Sequence, residues 1–205
     1  MNKILFAITN TNKVNRLRNL LNEVDIEIMS LSELDYQINE PEEVGNDPIE
    51  IATNKANYYW QNLRKKMPVL AQDDTLEFFD IPEMNVPRLS IKQPVIDKFG
   101  VYNDGNAIEY YTGLAAKYGE RIDMRFNYGF ALNHKNITKS KGAQLNCTLV
   151  DQVSKIINPG YFLTAIIKVS VDGIEIFYSE LTPNQQKVAD DELAGAVKYL
   201  ISDLI

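Results

Sequence analysis

Apolar and polar positions fall in blocks that read as strand, helix, strand. The run Ile4-Leu5-Phe6-Ala7-Ile8 is continuous and predicts a buried strand over residues 3–9. It stops at Thr9-Asn10-Thr11-Asn12-Lys13, after which Val14, Leu17, Leu20 and Leu21 recur at helical spacing and predict a helix over 11–23. Residues 26–31 read as a second strand, and 36–48 as a loop rich in acids with Pro41 and Gly45. Asp47-Pro48 marks a helix start, an N-cap followed by a proline that the first turn tolerates. Ile49, Ala52, Ala56, Tyr59 and Leu63 carry that helix to Arg64.

Residues 68–81 read as a strand whose apolar run is interrupted by Gln72-Asp73-Asp74. Residues 82–100 hold Pro82, Pro87 and Pro94 and read as irregular. A helix is predicted over 104–118, ended by Gly119. A β-rich stretch follows. Over 121–134 Met124, Phe126, Tyr128 and Phe130 fall on one side, and His134-Lys135-Asn136 suggests a turn. Further strands are predicted around 136–152, 161–171 and 174–180, with Asp172-Gly173 as a hairpin turn. A single helix over 183–204 closes the chain. Helices interleave with strands early and strands dominate later, so the fold class is α/β with a mixed sheet.

Bulk properties narrow the function. The chain has 205 residues, 45% hydrophobic and 24% charged, which suits a globular domain with an ample core. The formal net charge of −7 argues against a broad surface for a nucleic-acid polymer but leaves room for a local basic pocket that takes a small anion. A lone cysteine, Cys147, excludes an intramolecular disulfide and fits a reducing cytoplasm. No stretch approaches the ~20 apolar residues of a membrane span, and the short opening run does not read as a leader.

Three segments hold the unusual polar residues. In Asn10–Lys13, a helix N-terminus offers unpartnered N–H groups and a positive dipole to an anion, and Lys13 adds a charge. Asn10 is equally suited to an ordinary N-cap. In 42–56, acids precede a helix that carries Lys55, whose partner is Glu50, Asp47 or a phosphate. In Gln72-Asp73-Asp74, the carboxylates are either solvated turn acids or ligands, because burying them in a strand is costly unless they bind something. Together the segments supply lysines for phosphate oxygens and carboxylates for a hard cation such as Mg²⁺. His134 and Cys147 read as structural, and Tyr59 and Trp60 as helix-packing residues.

The order and spacing of these segments resemble the inosine triphosphate pyrophosphatase (ITPase-like) family, which hydrolyses non-standard purine nucleoside triphosphates to monophosphate and pyrophosphate. Asn10 and Lys13 stand in the family's first loop. Glu43-Val44-Gly45 and Glu50-Ile51-Ala52-Thr53-Asn54-Lys55-Ala56 match its Glu-Thr-Gly and Glu-Asn-Ala-x-x-Lys-Ala segments. Pro68-Val69-Leu70-Ala71-Gln72-Asp73-Asp74-Thr75-Leu76 matches its Pro-x-x-Ala-Asp-Asp-Ser-Gly-Leu strand, with Gln72 replacing the first aspartate and Asp74 at the serine. Glu180-Leu181-Thr182 and Lys187 resemble a later segment. The family's base-reading Phe-Gly-x-Asp is met only by Gly160-Tyr161-Phe162-Leu163-Thr164. Its Ser-His-Arg triplet falls on Asp191-Glu192-Leu193 and is absent.

The resemblance implies a single 1–205 domain with a second lobe about 82–180, its long mixed sheet and flanking helices forming two lobes around a central cleft. It implies a cytoplasmic homodimer acting on a nucleoside triphosphate, with neither membrane nor nucleic-acid partner. It makes Asp73 and Lys13 catalytic, and Asn10, Lys13, Lys55, Lys187 and Phe162 substrate-binding. Glu43 and Asp73 become ligands of Mg²⁺. Two alternatives stand beside it: a pyrophosphatase for pyrimidine or modified nucleotides, and a nucleotide-binding protein with little catalysis.

Overall fold

The computed structural model describes residues 2–42, 45, 47–79, 81 and 91–205. β1 (Asn2–Phe6) lies between β2 (Ile26–Ser30) and β3 (Val69–Phe78) and runs parallel to both. β4 (Arg121–His134), β5 (Ile137–Val150), β6 (Ile167–Val171) and β7 (Ile174–Phe177) complete a seven-stranded sheet in the order β2-β1-β3-β4-β5-β6-β7. β6 is antiparallel to both β5 and β7. The helices are α1 (Thr11–Leu20), α2 (Pro48–Asn62), α3 (Gln93–Phe99), α4 (Asp104–Lys117), α5 (Pro183–Ala189) and α6 (Asp191–Ile201). The sheet is open and mixed, so the α/β class read from the pattern holds. No helix among the described residues is long and apolar enough to cross a membrane.

Local chemistry explains most of these elements. Asp47 caps α2, accepting from the N–H groups of Ile49 (2.7 Å) and Glu50 (3.3 Å), with Pro48 in the first turn. Lys135 and Asn136 both take positive φ, 53° and 65°, which matches a two-residue hairpin turn to the twist of β4 and β5. Asp172 and Gly173 do the same between β6 and β7.

Four segments differ from the reading of the sequence. β3 runs unbroken through Gln72-Asp73-Asp74. Residues 93–99 form α3, because Pro94 sits in its first turn, where a missing N–H costs nothing. Residues 162–165 form a 3-10 turn, so β6 begins only at Ile167. The closing helix is two helices. Asp190 ends α5 with its carboxylate fully buried, accepting from the Tyr178 hydroxyl at 2.6 Å.

The chain divides into two compact units. The first comprises Met1–Asp74, Asn127–Gln144 and Asp191–Ile205, the second Thr75–Phe126 and Leu145–Asp190. In the first unit, Leu5 and Ala7 of the β1 segment pack with Val69 and Ala71 of β3 and Ala131 of β4. They meet Ala52, Ala56 and Tyr59 of α2, with Leu63 just beyond it. Three alanines facing α2 let it lie close on the sheet. The second unit is built on aromatic rings: Tyr111 of α4 stacks on Phe78 (centroids 6.3 Å apart) and on Phe162 (5.8 Å).

Candidate active site

The first unit has a topological switch point. β1 leads through α1 to β2 on one side, and β2 leads back through α2 to β3 on the other. Parallel crossovers are right-handed, so the two connections place α1 and α2 on opposite faces of the sheet. In open α/β sheets the crevice beyond the carboxyl ends of the strands at such a point is where ligands bind. Phe6, the last residue of β1, pairs with Leu70. Gln72, Asp73 and Asp74 therefore lie past the end of β1, level with the segment that leads into α1.

Alternation along β3 sends Asp73 to one face and Gln72 and Asp74 to the other. Each carboxylate meets the lysine of the helix on its own face. Lys55 Nζ of α2 is 2.5 Å from Asp73 Oδ2, and Lys13 Nζ of α1 bonds Asp74 Oδ1. The side chains of Lys55 and Asp73 are 17% and 13% exposed, those of Lys13 and Asp74 24% and 25%. These pairs are too enclosed to be discounted as surface ion pairs. Asp73 is a partner of Lys55 that was not weighed for it in the sequence. Asp73 Oδ1 also accepts the N–H of Asp74 at 2.9 Å, fixing its carboxylate against the strand.

The α1 side carries more positive charge. Asn10 is the N-cap, its side chain accepting from the N–H groups of Asn12 (2.9 Å) and Lys13 (3.3 Å). Arg16, only 6% exposed, donates to the Tyr128 hydroxyl at 3.1 Å and lies over that ring. Burial acts to raise the pKa of Asp74. The charge and hydrogen bond of Lys13, then Arg16 and Gln72, outweigh it and hold the carboxyl below the ordinary aspartate value. Stabilisation from a depressed carboxyl is complete above the unfolded pKa, near 4, and is lost as pH falls through the lower folded value. Asp74→Asn is therefore expected to melt below the wild-type protein at pH 7, with the difference closing on acidification below pH ~4. A difference in melting temperature that stays constant from pH 7 to pH 2 would contradict this.

Gly129 of β4 sets where α2 lies. A Cβ there would stand 2.1 Å from the carbonyl carbon and oxygen of Pro48 and 2.3 Å from the Ile49 nitrogen. The start of α2 touches bare backbone, and α2 carries Lys55 from there to Asp73. The reading of the sequence passed over this residue. Its signal was a glycine inside a strand pattern, which often marks a close backbone approach.

The structure thus gathers Asn10, Lys13, Lys55 and Asp73 around one end of β1. Glu43 lies outside the described residues. Phe162 and Lys187 belong to the second unit. Phe162, 2% exposed, packs against Tyr111 and Tyr102, and Lys187 stands in the last turn of α5. Glu192 accepts the Gln144 N–H at 2.9 Å, and Leu193 is buried. Cys147 is buried too, which pushes its thiol pKa up.

Residues 4–87 match the model of the Ham1 family. That bears out the ITPase-like resemblance, and the matched segment contains every residue gathered at the switch point. The whole chain is also similar in fold to solved Ham1 structures. A HAM1 protein from Coxiella burnetii superposes with a TM-score of 0.72 at 16% identity, covering 99% of this chain and 100% of that one. The Staphylococcus aureus Ham1 protein gives 0.67 at 19% identity, covering 99% and 98%. A Mycobacterium abscessus protein described as a nucleoside-triphosphatase and dITP/XTP pyrophosphatase gives 0.57 at 19%, covering 98% of each chain. No curated protein matches the sequence.

Proposed function

We propose that the chain is an ITPase-like pyrophosphatase that cleaves a nucleoside triphosphate to monophosphate and pyrophosphate, in house-cleaning of nucleotide pools. The observation that supports this most is the pairing of Lys55 with Asp73 beside Lys13 and the α1 N-terminus, beyond the end of β1. An anion at a helix N-terminus between two ammonium groups is electrostatically favoured. The Ham1 match over this segment and the pyrophosphatase named among the similar folds support the same chemistry.

In this reading a phosphate draws Lys55 away from Asp73 and leaves the carboxylate able to act. Asp73 takes a proton from a water that attacks the α-phosphorus. The bond from that phosphorus to the bridging oxygen breaks, and pyrophosphate leaves with the electron pair. Lys13 and Lys55 neutralise charge on the phosphates and hold them in line. Asn10 keeps the loop and its donors in place as the cap of α1.

A hard divalent cation asks for oxygen donors, and Asp73 offers a carboxylate where the phosphates would lie. Among the described residues no three His, Cys, Asp or Glu side chains gather into a metal-binding group. Mg²⁺ commonly takes one or two carboxylates and completes its shell with phosphate oxygens and water, so the Asp73 carboxylate fits it, and the resemblance implies Glu43 as the second ligand. When bound it neutralises developing phosphate charge. Phe162 and Lys187 remain the resemblance's candidates for the base and for a phosphate. A cytoplasmic homodimer completes the proposal.

One observation favours a site without the family's strong preference for inosine triphosphate, one that uses another base or discriminates poorly. At the position of the family's Ser-His-Arg triplet, Glu192 is occupied by a backbone N–H of β5 and Leu193 is buried. A site that hydrogen-bonds a base edge can discriminate by ~10⁴, and losing those groups removes that rejection. The test is kcat/KM for inosine, xanthosine, adenosine, guanosine, uridine and thymidine triphosphates with Mg²⁺, scoring pyrophosphate. A preference for inosine or xanthosine below a hundredfold is expected; a larger one would show that other residues rebuild the base pocket. Tight binding with no turnover of any nucleotide would leave a binding protein instead.

A further inference from the structure

Lys13 stands at the start of α1, where an anion is favoured, yet its ammonium already has one. The Asp74 carboxylate bonds it directly, with the Gln72 side-chain amide donating to the same oxygen at 3.4 Å. Asp74 sits on the α1 face of β3, opposite Asp73, so one cation bound at Asp73 does not account for it. Arg16 lies close enough to act on the same carboxylate.

We infer that Asp74 is a positioning residue that competes with substrate phosphate for Lys13. Its carboxylate holds the ammonium at the mouth of α1 when no anion is bound, and it opposes a bare anion that arrives. Two negative charges within several ångströms in a partly enclosed site repel strongly, and an accompanying divalent cation relieves that repulsion. The protein should therefore discriminate against metal-free polyphosphate and accept the cation complex. The inference rests on the reading that Lys13 meets phosphate.

Binding of inorganic pyrophosphate, measured by calorimetry with EDTA and then with Mg²⁺, tests it. Asp74→Asn should bind metal-free pyrophosphate about tenfold more tightly than wild type, the gain shrinking with Mg²⁺. Asp74→Glu, which keeps the charge, should remain near wild type. In a Lys13→Ala background the gain from Asp74→Asn should shrink to what direct repulsion alone supplies, because the contested group is gone. Should Asp74→Asn fail to fold, Asp74→Ser serves in its place. Unchanged or weaker metal-free binding in the folded variant overturns the inference, and so does a full gain that persists without Lys13. The two readings separate cleanly. Turnover of a triphosphate by wild type without the gain sinks this inference alone, and the gain without turnover sinks the enzyme reading alone.

Discussion

Asp73→Asn is expected to lower kcat by about a hundredfold or more, the range for a lost general base. The substitution keeps the shape of the side chain and the acceptor for the Asp74 N–H, but removes the charge that Lys55 pairs with. Asparagine cannot take a proton from water at neutral pH. KM should change less than kcat, because Lys13 and Lys55 remain to hold the phosphates. Near-normal turnover in a folded Asp73→Asn protein would remove Asp73 from the mechanism. Thermal unfolding of the same sample distinguishes a chemical defect from a structural one.

The second large effect is expected from a residue that touches no substrate. Gly129→Ala adds one methyl group against the Pro48 carbonyl and the Ile49 nitrogen. Both are backbone, so no side chain can swing aside. The start of α2 must move off β4, and the cost should exceed the ~1–3 kcal/mol typical of overpacking. Displacing α2 also moves Lys55 from Asp73, so turnover should fall with stability. A Gly129→Ala protein with wild-type melting temperature and activity would show that the close approach does not position the site.

Much of this was legible along the chain because it is local. The run Ile4–Ile8, the cap at Asn10, the pair Asp47-Pro48 and the turn residues 135–136 and 172–173 carry their conformations in their own chemistry. The candidate site was legible as three polar segments, since a lysine after a strand and acids inside an apolar run are odd wherever they fall. What was hidden depends on partners distant in sequence. Asp74 reads as a solvated turn acid until β3 is seen to continue and α1 brings Lys13 across 61 positions. The break at Asp190 is invisible because the residues on both sides of it read as helix, whereas the buried bond that Asp190 accepts from Tyr178 reaches back 12 positions. Pro94 reads as a breaker in a stretch with two other prolines, although it opens α3.

The central claim is that water attacks the α-phosphorus at the end of β1. Hydrolysis of a nucleoside triphosphate in ¹⁸O-labelled water, with products resolved by mass spectrometry, tests it most directly. The account predicts label in the nucleoside monophosphate, unlabelled pyrophosphate, and loss of both products in Asp73→Asn. Labelled inorganic phosphate with nucleoside diphosphate, or label in pyrophosphate, would contradict it.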